Sequence, residues 1–140
     1  MIPERALEVV KQSRRIEGWL EDEAVMLFAW IDEIQKEHGI SGDLFEIGTH
    51  HGKSAMCLAA MAEAGQEELK LCDIFDNQGD NVSESGRGDL EVLRENMSPF
   101  QAAGLRVSYY EQNSTTLNAK DLGGPYRFFH IDGGHNLEEA

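Results

Sequence analysis

The segment Glu46-Ile47-Gly48-Thr49-His50-His51-Gly52-Lys53-Ser54 puts two glycines at a G-x-x-x-G spacing beside an acid, two histidines and a serine. Gly48 can let backbone approach a ligand closely, and Gly52 can open a helix whose free amides face that ligand. A dinucleotide-binding loop would read G-x-G-x-x-G and a phosphate-binding loop G-x-x-x-x-G-K-[ST]; neither pattern is met, which disfavours nicotinamide and P-loop chemistry. Asp73 ends an apolar run about 20 residues further on, where a carboxylate can accept both hydroxyls of a ribose. His130-Ile131-Asp132-Gly133-Gly134-His135 adds a second acid and two more histidines. His135, with an ordinary pKa of about 6.5, is a candidate general base for a substrate hydroxyl, against the plainer reading of a hydrogen-bonded histidine. The five histidines of the chain invite a zinc reading. Adjacent His50 and His51 are expected to point in different directions, however, and no Cys or Glu stands at a ligand offset such as H-E-x-x-H.

These residues need a scaffold, and the periodicity supplies one. Residues 4 to 17 suggest a short helix, and Ala24, Leu27, Phe28, Ile31 and Ile34 recur at helical spacing in a packing helix from Glu21 to Glu37, with Gly39 placed to end it. Leu44 to Ile47 reads as a strand and Lys53 to Ala64 as a helix. A second strand is predicted from Leu69 to Phe75, and a helix from an Asp89 N-cap to Ala103. Arg106 to Tyr110 and Tyr126 to Ile131 are strands three and four. Strands alternating with helices at this spacing predict an α/β fold with a mostly parallel sheet, whose ligand site lies beyond the carboxyl ends of the strands. Those ends are Glu46 to Gly52, Asp73 to Asp76, Gln112 to Ser114 and Asp132 to His135. Asn77 to Gly88, rich in Gly, Asn, Ser and Asp, is a loop expected to close over the site.

Taken together, the quoted motifs resemble the class I S-adenosylmethionine-dependent methyltransferases. Phe45 to Ser54 looks like their first motif in the E-[IV]-G-x-x-x-G-x-S form, typical of the catechol O-methyltransferase-like and macrolide-sugar O-methyltransferase-like group. Asp73 matches the acid ending strand two, Gln112-Asn113-Ser114 the turn after strand three, and His130 to His135 the strand-four motif. The resemblance covers residues 40 to 140 and implies a Rossmann-like cofactor-binding domain with strand order 3-2-1-4, preceded by N-terminal helices in residues 1 to 39. It implies that Glu46 neutralises the ammonium of S-adenosylmethionine, that Gly48, Thr49, Gly52 and Ser54 hold its carboxylate, and that Asp73 binds the ribose. Asn113 or Ser114 would contact the adenine, with Phe75 offering it an apolar face. Asp132 would be a catalytic residue and a metal ligand, commonly for Mg²⁺, although one Asp does not make such a site. The implied reaction is O-methylation of a small-molecule acceptor. The alternative is a non-catalytic Rossmann-like binding or interaction module. The family pattern further implies that strands five to seven and much of the acceptor pocket lie beyond Ala140.

The composition agrees with one globular domain. The chain has 140 residues, 41% hydrophobic and 27% charged, with a net charge of −14, a field that repels a phosphate backbone and argues against nucleic acid as a partner. Lys11, Arg14 and Arg15 sit among acids and read as a solvated helix face. The longest apolar run, Val25 to Ile31, is far short of the ~20 residues of a membrane span. With no hydrophobic signal core at the N-terminus, a cytoplasmic location is expected. Cys57 and Cys72 lie in apolar surroundings and read as buried reduced thiols. Tyr126 to Ile131, at the edge of the sheet with Phe128 and Phe129, is expected to draw the chain into a homodimer or larger assembly.

Overall fold

The computed structural model describes residues 4–80 and 86–133. Helices α1 (Glu4–Ser13) and α2 (Asp22–Glu37) precede β1 (Asp43–Ile47), α3 (Lys53–Met61), β2 (Glu68–Asp73), α4 (Leu90–Ala102), β3 (Arg106–Glu111), a short α5 (Ala119–Leu122) and β4 (Tyr126–Ile131). The four strands form one sheet in the order β3-β2-β1-β4, and every pairing is parallel. The α/β reading and the 3-2-1-4 order both hold. Among the described residues no helix is long and apolar enough to cross a membrane.

Pleating divides the sheet residues between two faces. Leu44, Leu69 and Leu71, all 0% exposed, join Leu58, Leu93 and Met97 and the N-terminal Val9, Val10, Val25 and Phe28 in the main core under α1 to α4. The opposite face carries Phe45, ringed by Tyr110, Tyr126 and Phe129 at 5.5 to 6.1 Å. The two adjacent phenylalanines of β4 are therefore not equivalent. Phe128 turns inward onto Phe28 at 5.1 Å, while Phe129 stays exposed.

The α3 helix ends at Met61, three residues before the predicted Ala64; elsewhere a hydrogen bond accounts for the differences from the sequence reading. The α1 helix stops at Ser13, whose hydroxyl bonds back to the Val10 carbonyl at 2.9 Å, an alternative that short hydroxyl side chains offer to the helical ladder. Strand β2 stops at Asp73 because its Oδ1 accepts the Ile74 N–H at 2.7 Å. In the connection to β4, where no element was predicted, Asn113 and Asn118 each accept an N–H two residues on and so start a 3₁₀ turn (Ser114–Thr116) and α5. The 77–88 loop opens with a 3₁₀ turn (Gln78–Asp80); its residues 81–85 lie outside the described residues.

The predicted cap of α4 is present. Asp89 Oδ1 accepts from Glu91 N at 2.9 Å and Val92 N at 3.2 Å. Asp89→Ala is expected to cost about 1 kcal/mol, measured by urea denaturation; an unchanged midpoint would mean that solvent serves these amides equally well.

At the other end of the sheet, Arg127 at the start of β4 holds α2 and the end of α3 together. Its guanidinium donates to Glu67 at 2.7 and 3.0 Å, to Gln35 at 2.7 Å and to the Met61 carbonyl at 3.0 Å. It also lies 2.9 Å from Asp32.

Candidate functional site

The carboxyl ends of the four strands stop at one level. Ile47 is in register with Cys72 and with Ile131, and Asp73 with Glu111. The turns leaving these ends are stitched together by backbone bonds from Gly48 N to Cys72 O at 2.9 Å, from Asp132 N to Ile47 O at 2.8 Å and from Gln112 N to Asp73 O at 3.1 Å. Glu46, Gly48, Asp73, Asn113 and Asp132, widely separated in sequence, thus share one edge.

Both glycines of the turn are required, for reasons the sequence showed only in part. Gly48 has φ +85°, and a Cβ there would lie 2.1 Å from the carbonyl oxygen of Asp132. The close approach expected of a ligand is made at this position by the end of β4 itself. Gly52 opens α3 with φ +90°, in the left-handed region, as expected. A Cβ on it would come within 2.5 Å of Leu93 Cδ1, so it also seats α4 against α3. His50, between them, takes the uncommon φ of +49°, stabilised by its N–H donating to Asp73 Oδ2 at 2.7 Å. This bond pins the glycine turn to the acid at the end of β2.

His50 and His51 do not diverge as expected. Their ring centroids are 3.9 Å apart, because the left-handed backbone at His50 brings both rings to one side. His51 Nδ1 lies 3.8 Å from Glu17, and Trp19 is 5.6 Å from the His50 ring. Lys53 Nζ donates to the Gly18 carbonyl at 3.0 Å. Residues 17 to 19 therefore rim the site, a role that the sequence reading did not give them. On the other side Gly88 is buried against His50, whose Cα would be 2.9 Å from a Cβ there. The far end of the 77–88 loop is thus docked on the turn.

Glu46 is 0% exposed. Its Oε1 pairs with His130 Nδ1 at 2.6 Å, and the ring of Phe28 lies edge-on to His130 at 5.1 Å. Burial pushes the Glu46 carboxyl above its ordinary range, opposed by His130 and Ser54. Burial pulls His130 down, but the hydrogen bond and charge of Glu46, with Asp132, outweigh it and raise the imidazole. The sequence reading missed this partner. Each residue lies two positions before the turn that ends its strand, and the two are in register across adjacent β1 and β4. Equal offsets in neighbouring strands were the signal that could have found the pair.

A sequence family described as a methyltransferase domain matches residues 45–140. The chain belongs to that family. No curated protein matches it. Among solved structures it resembles the SAH-bound Podospora anserina methyltransferase PaMTH1, with a TM-score of 0.58 and 16% sequence identity over 94% of this chain. The chain spans 50% of the length of that structure's chain. This likeness shows the Rossmann-like methyltransferase fold.

In this methyltransferase domain the buried side-chain atoms without a hydrogen-bond partner are concentrated at one place. Among the described residues they are Glu46 Oε2, Thr49 Oγ1, His50 Nδ1 and Asp32 Oδ1, and the last is ion-paired with Arg127 at 2.9 Å. The other three surround the glycine turn. Ser54, buried in the first turn of α3, offers its hydroxyl to the Glu46 carboxylate, and the Glu17 backbone approaches the His50 ring. Asn113 spends its oxygen on Thr115 N and Oγ1 at 2.9 and 2.8 Å, which leaves its amide nitrogen as the side chain's remaining polar atom.

Two expectations change. Phe75 is 1% exposed and belongs to the main core, so it offers no face to an adenine; its φ of +44° turns the ring inward just after Asp73. Asp132 is exposed at the edge of the site, but among the described residues no group of three or more His, Cys, Asp or Glu is placed to hold a metal ion. The Mg²⁺ and metal-ligand expectation thus gains no support. His135, the other half of the catalytic pair, lies outside the described residues.

Cys57 and Cys72 are free and buried, as expected. Burial, aided by the negative charge of Glu46 and of Asp73 respectively, pushes both thiols up to about 12. Iodoacetamide at about pH 8 is therefore expected to leave both unmodified in the folded protein and to label both in denaturant, since the thiolate is the nucleophile. Rapid labelling of the native chain, read by mass spectrometry, would contradict this.

Proposed function

We propose that this domain is the cofactor-binding part of a class I S-adenosylmethionine-dependent methyltransferase that, as the whole protein, methylates a hydroxyl of a small molecule. The reading rests above all on the unpartnered buried polar atoms at Glu46, Thr49 and His50, the last of which is joined to Asp73 through its backbone N–H. Leaving such atoms unpaired is costly, and a zwitterionic amino acid joined to a nucleoside would satisfy them. Glu46 suits the ammonium, Thr49 and the amides of the turn into α3 suit the carboxylate, Asp73 suits the ribose, and Asn113 or Ser114 the adenine. The bound cofactor would supply an activated methyl on its sulfonium. The chain's own residues hold it in place, a contribution made by positioning.

Asp73 serves both the turn and the ligand. An ionised carboxylate offers about four acceptor positions, and the N–H groups of His50, Ile74 and Phe75 occupy three of them at 2.7, 2.7 and 3.4 Å. One position on Oδ2 is left, for one ribose hydroxyl rather than the two expected from the sequence. Isothermal titration with S-adenosylhomocysteine tests the reading: the wild type should bind, and Asp73→Ala should weaken binding by about 1.5–3 kcal/mol, the worth of a hydrogen bond to a charged group. No heat and no thermal shift with the wild type at millimolar ligand would overturn it. Binding by the whole protein without transfer to any alcohol or phenol would leave a binding module instead.

A further inference from the structure

We propose that His130 is a positioning residue for the cofactor's amino-acid end: bonded to one oxygen of Glu46, it fixes the carboxylate so that the other oxygen is presented to the ligand's ammonium. The inference rests on the cofactor reading above and goes beyond it, because nothing in that reading requires His130.

Glu46 is fully buried, with Oε1 committed to His130 Nδ1 at 2.6 Å and Oε2 without a partner. A buried carboxylate oxygen left unsatisfied is costly, and with the Thr49 hydroxyl in the turn that follows β1 also unpartnered, it points to a polar group that completes the site. The carboxylate must also be held at one angle for Oε2 to be useful, and Glu has several rotatable bonds. His130 removes that freedom. Its ring is locked by its place in register opposite Glu46 on β4 and by the edge-on ring of Phe28 at 5.1 Å and 72°. Phe28 is itself packed on Phe128 at 5.1 Å. The chain thus runs from α2 through an aromatic contact to the imidazole, and from there to the oxygen that faces the ligand. Such support is what keeps a binding group within the narrow tolerance a site demands.

A purely structural pair would behave differently, and two ligands separate the cases. S-adenosylhomocysteine carries the ammonium; 5′-methylthioadenosine has the same purine, ribose and thioether without the amino-acid end. Titration of the full chain is expected to show that His130→Phe weakens S-adenosylhomocysteine by roughly 10- to 100-fold while shifting methylthioadenosine by less than about twofold. His130→Asn, whose amide nitrogen can stand where Nδ1 stands, should recover binding to within about threefold of wild type. If His130→Phe does not fold, as judged by circular dichroism, His130→Ala takes its place and should show the same selective loss. Equal losses for both ligands, or no loss for either, would overturn the proposal. Wild-type affinity that gains nothing from the amino-acid end would overturn it while leaving the nucleoside site standing, whereas a wild type that binds neither ligand would overturn the cofactor reading itself.

Discussion

Gly48→Ala is expected to destabilise the domain by about 2–6 kcal/mol, the sum of a backbone penalty of about 1–3 kcal/mol and an overpacking penalty of about 1–3 kcal/mol. The first arises because φ at this position is +85°, where an L side chain is strained. The second arises because the new Cβ would sit 2.1 Å from the Asp132 carbonyl oxygen, 2.4 Å from its carbon and 2.7 Å from Gly133 N. These are backbone atoms and cannot rotate away. Relief requires moving the end of β4 from β1, which breaks the Asp132 N to Ile47 O bond of 2.8 Å and opens the site. Gly39→Ala is the control, since Gly39 has φ +66° with nothing within 4 Å of the new Cβ and should show only the backbone penalty. Urea denaturation of the two variants decides the matter. Equal midpoints would mean that the contact with Asp132 relaxes without cost.

Arg127→Met is expected to cost about 3–5 kcal/mol at neutral pH, because removing one partner of a buried ion-pair network leaves the others uncompensated. Glu67 and Asp32 are 4% and 6% exposed. Asp32 keeps Lys36 at 2.8 Å, but Glu67 loses both of its guanidinium bonds. Burial pushes the Glu67 carboxyl up, yet the Arg127 hydrogen bond, the backbone N–H groups of Glu63 and Gly42 and the charge of Arg127 together carry it below its ordinary 4.5. A depressed carboxyl stabilises the fold above that ordinary value and ceases to do so as pH falls through the lowered one. Without Arg127 burial is opposed only by the N–H groups of Glu63 and Gly42, so the Glu67 pKa rises relative to wild type and protonation relieves the variant as pH falls toward the acid range. The gap between wild type and variant should be widest near neutrality and narrow below about pH 4.5. Adding Glu67→Gln to Arg127→Met should recover part of the loss. A gap that stays constant with pH would assign the effect to packing alone.

Much of this molecule was legible without the tertiary structure, and the legible parts are local. The apolar strands read at Leu44 to Ile47 and Leu69 to Phe75, the helical spacing from Ala24 to Ile34, and the Asp89 cap each depend on residues within a few positions of one another. A chain read one window at a time shows them. The alternation of strand and helix then dictates parallel pairing and puts Glu46, Asp73, Asn113 and Asp132 at one end of the sheet, because crossovers between parallel strands leave little choice. What depended on register and on side-chain direction could not be read this way. The pairing of Glu46 with His130 and the hold of Arg127 on Asp32, Gln35 and Glu67 join positions that no local period relates, and were decided by which atoms the folded sheet brought within hydrogen-bond distance. The inward turn of Phe75 and the approach of the His50 and His51 rings are local but follow from positive φ at Phe75 and His50, which residue type does not announce. Gly48 shows both sides. Its residue type announced a position where a side chain cannot fit, while only the arrangement of β1 beside β4 showed that the space is already taken by the Asp132 carbonyl.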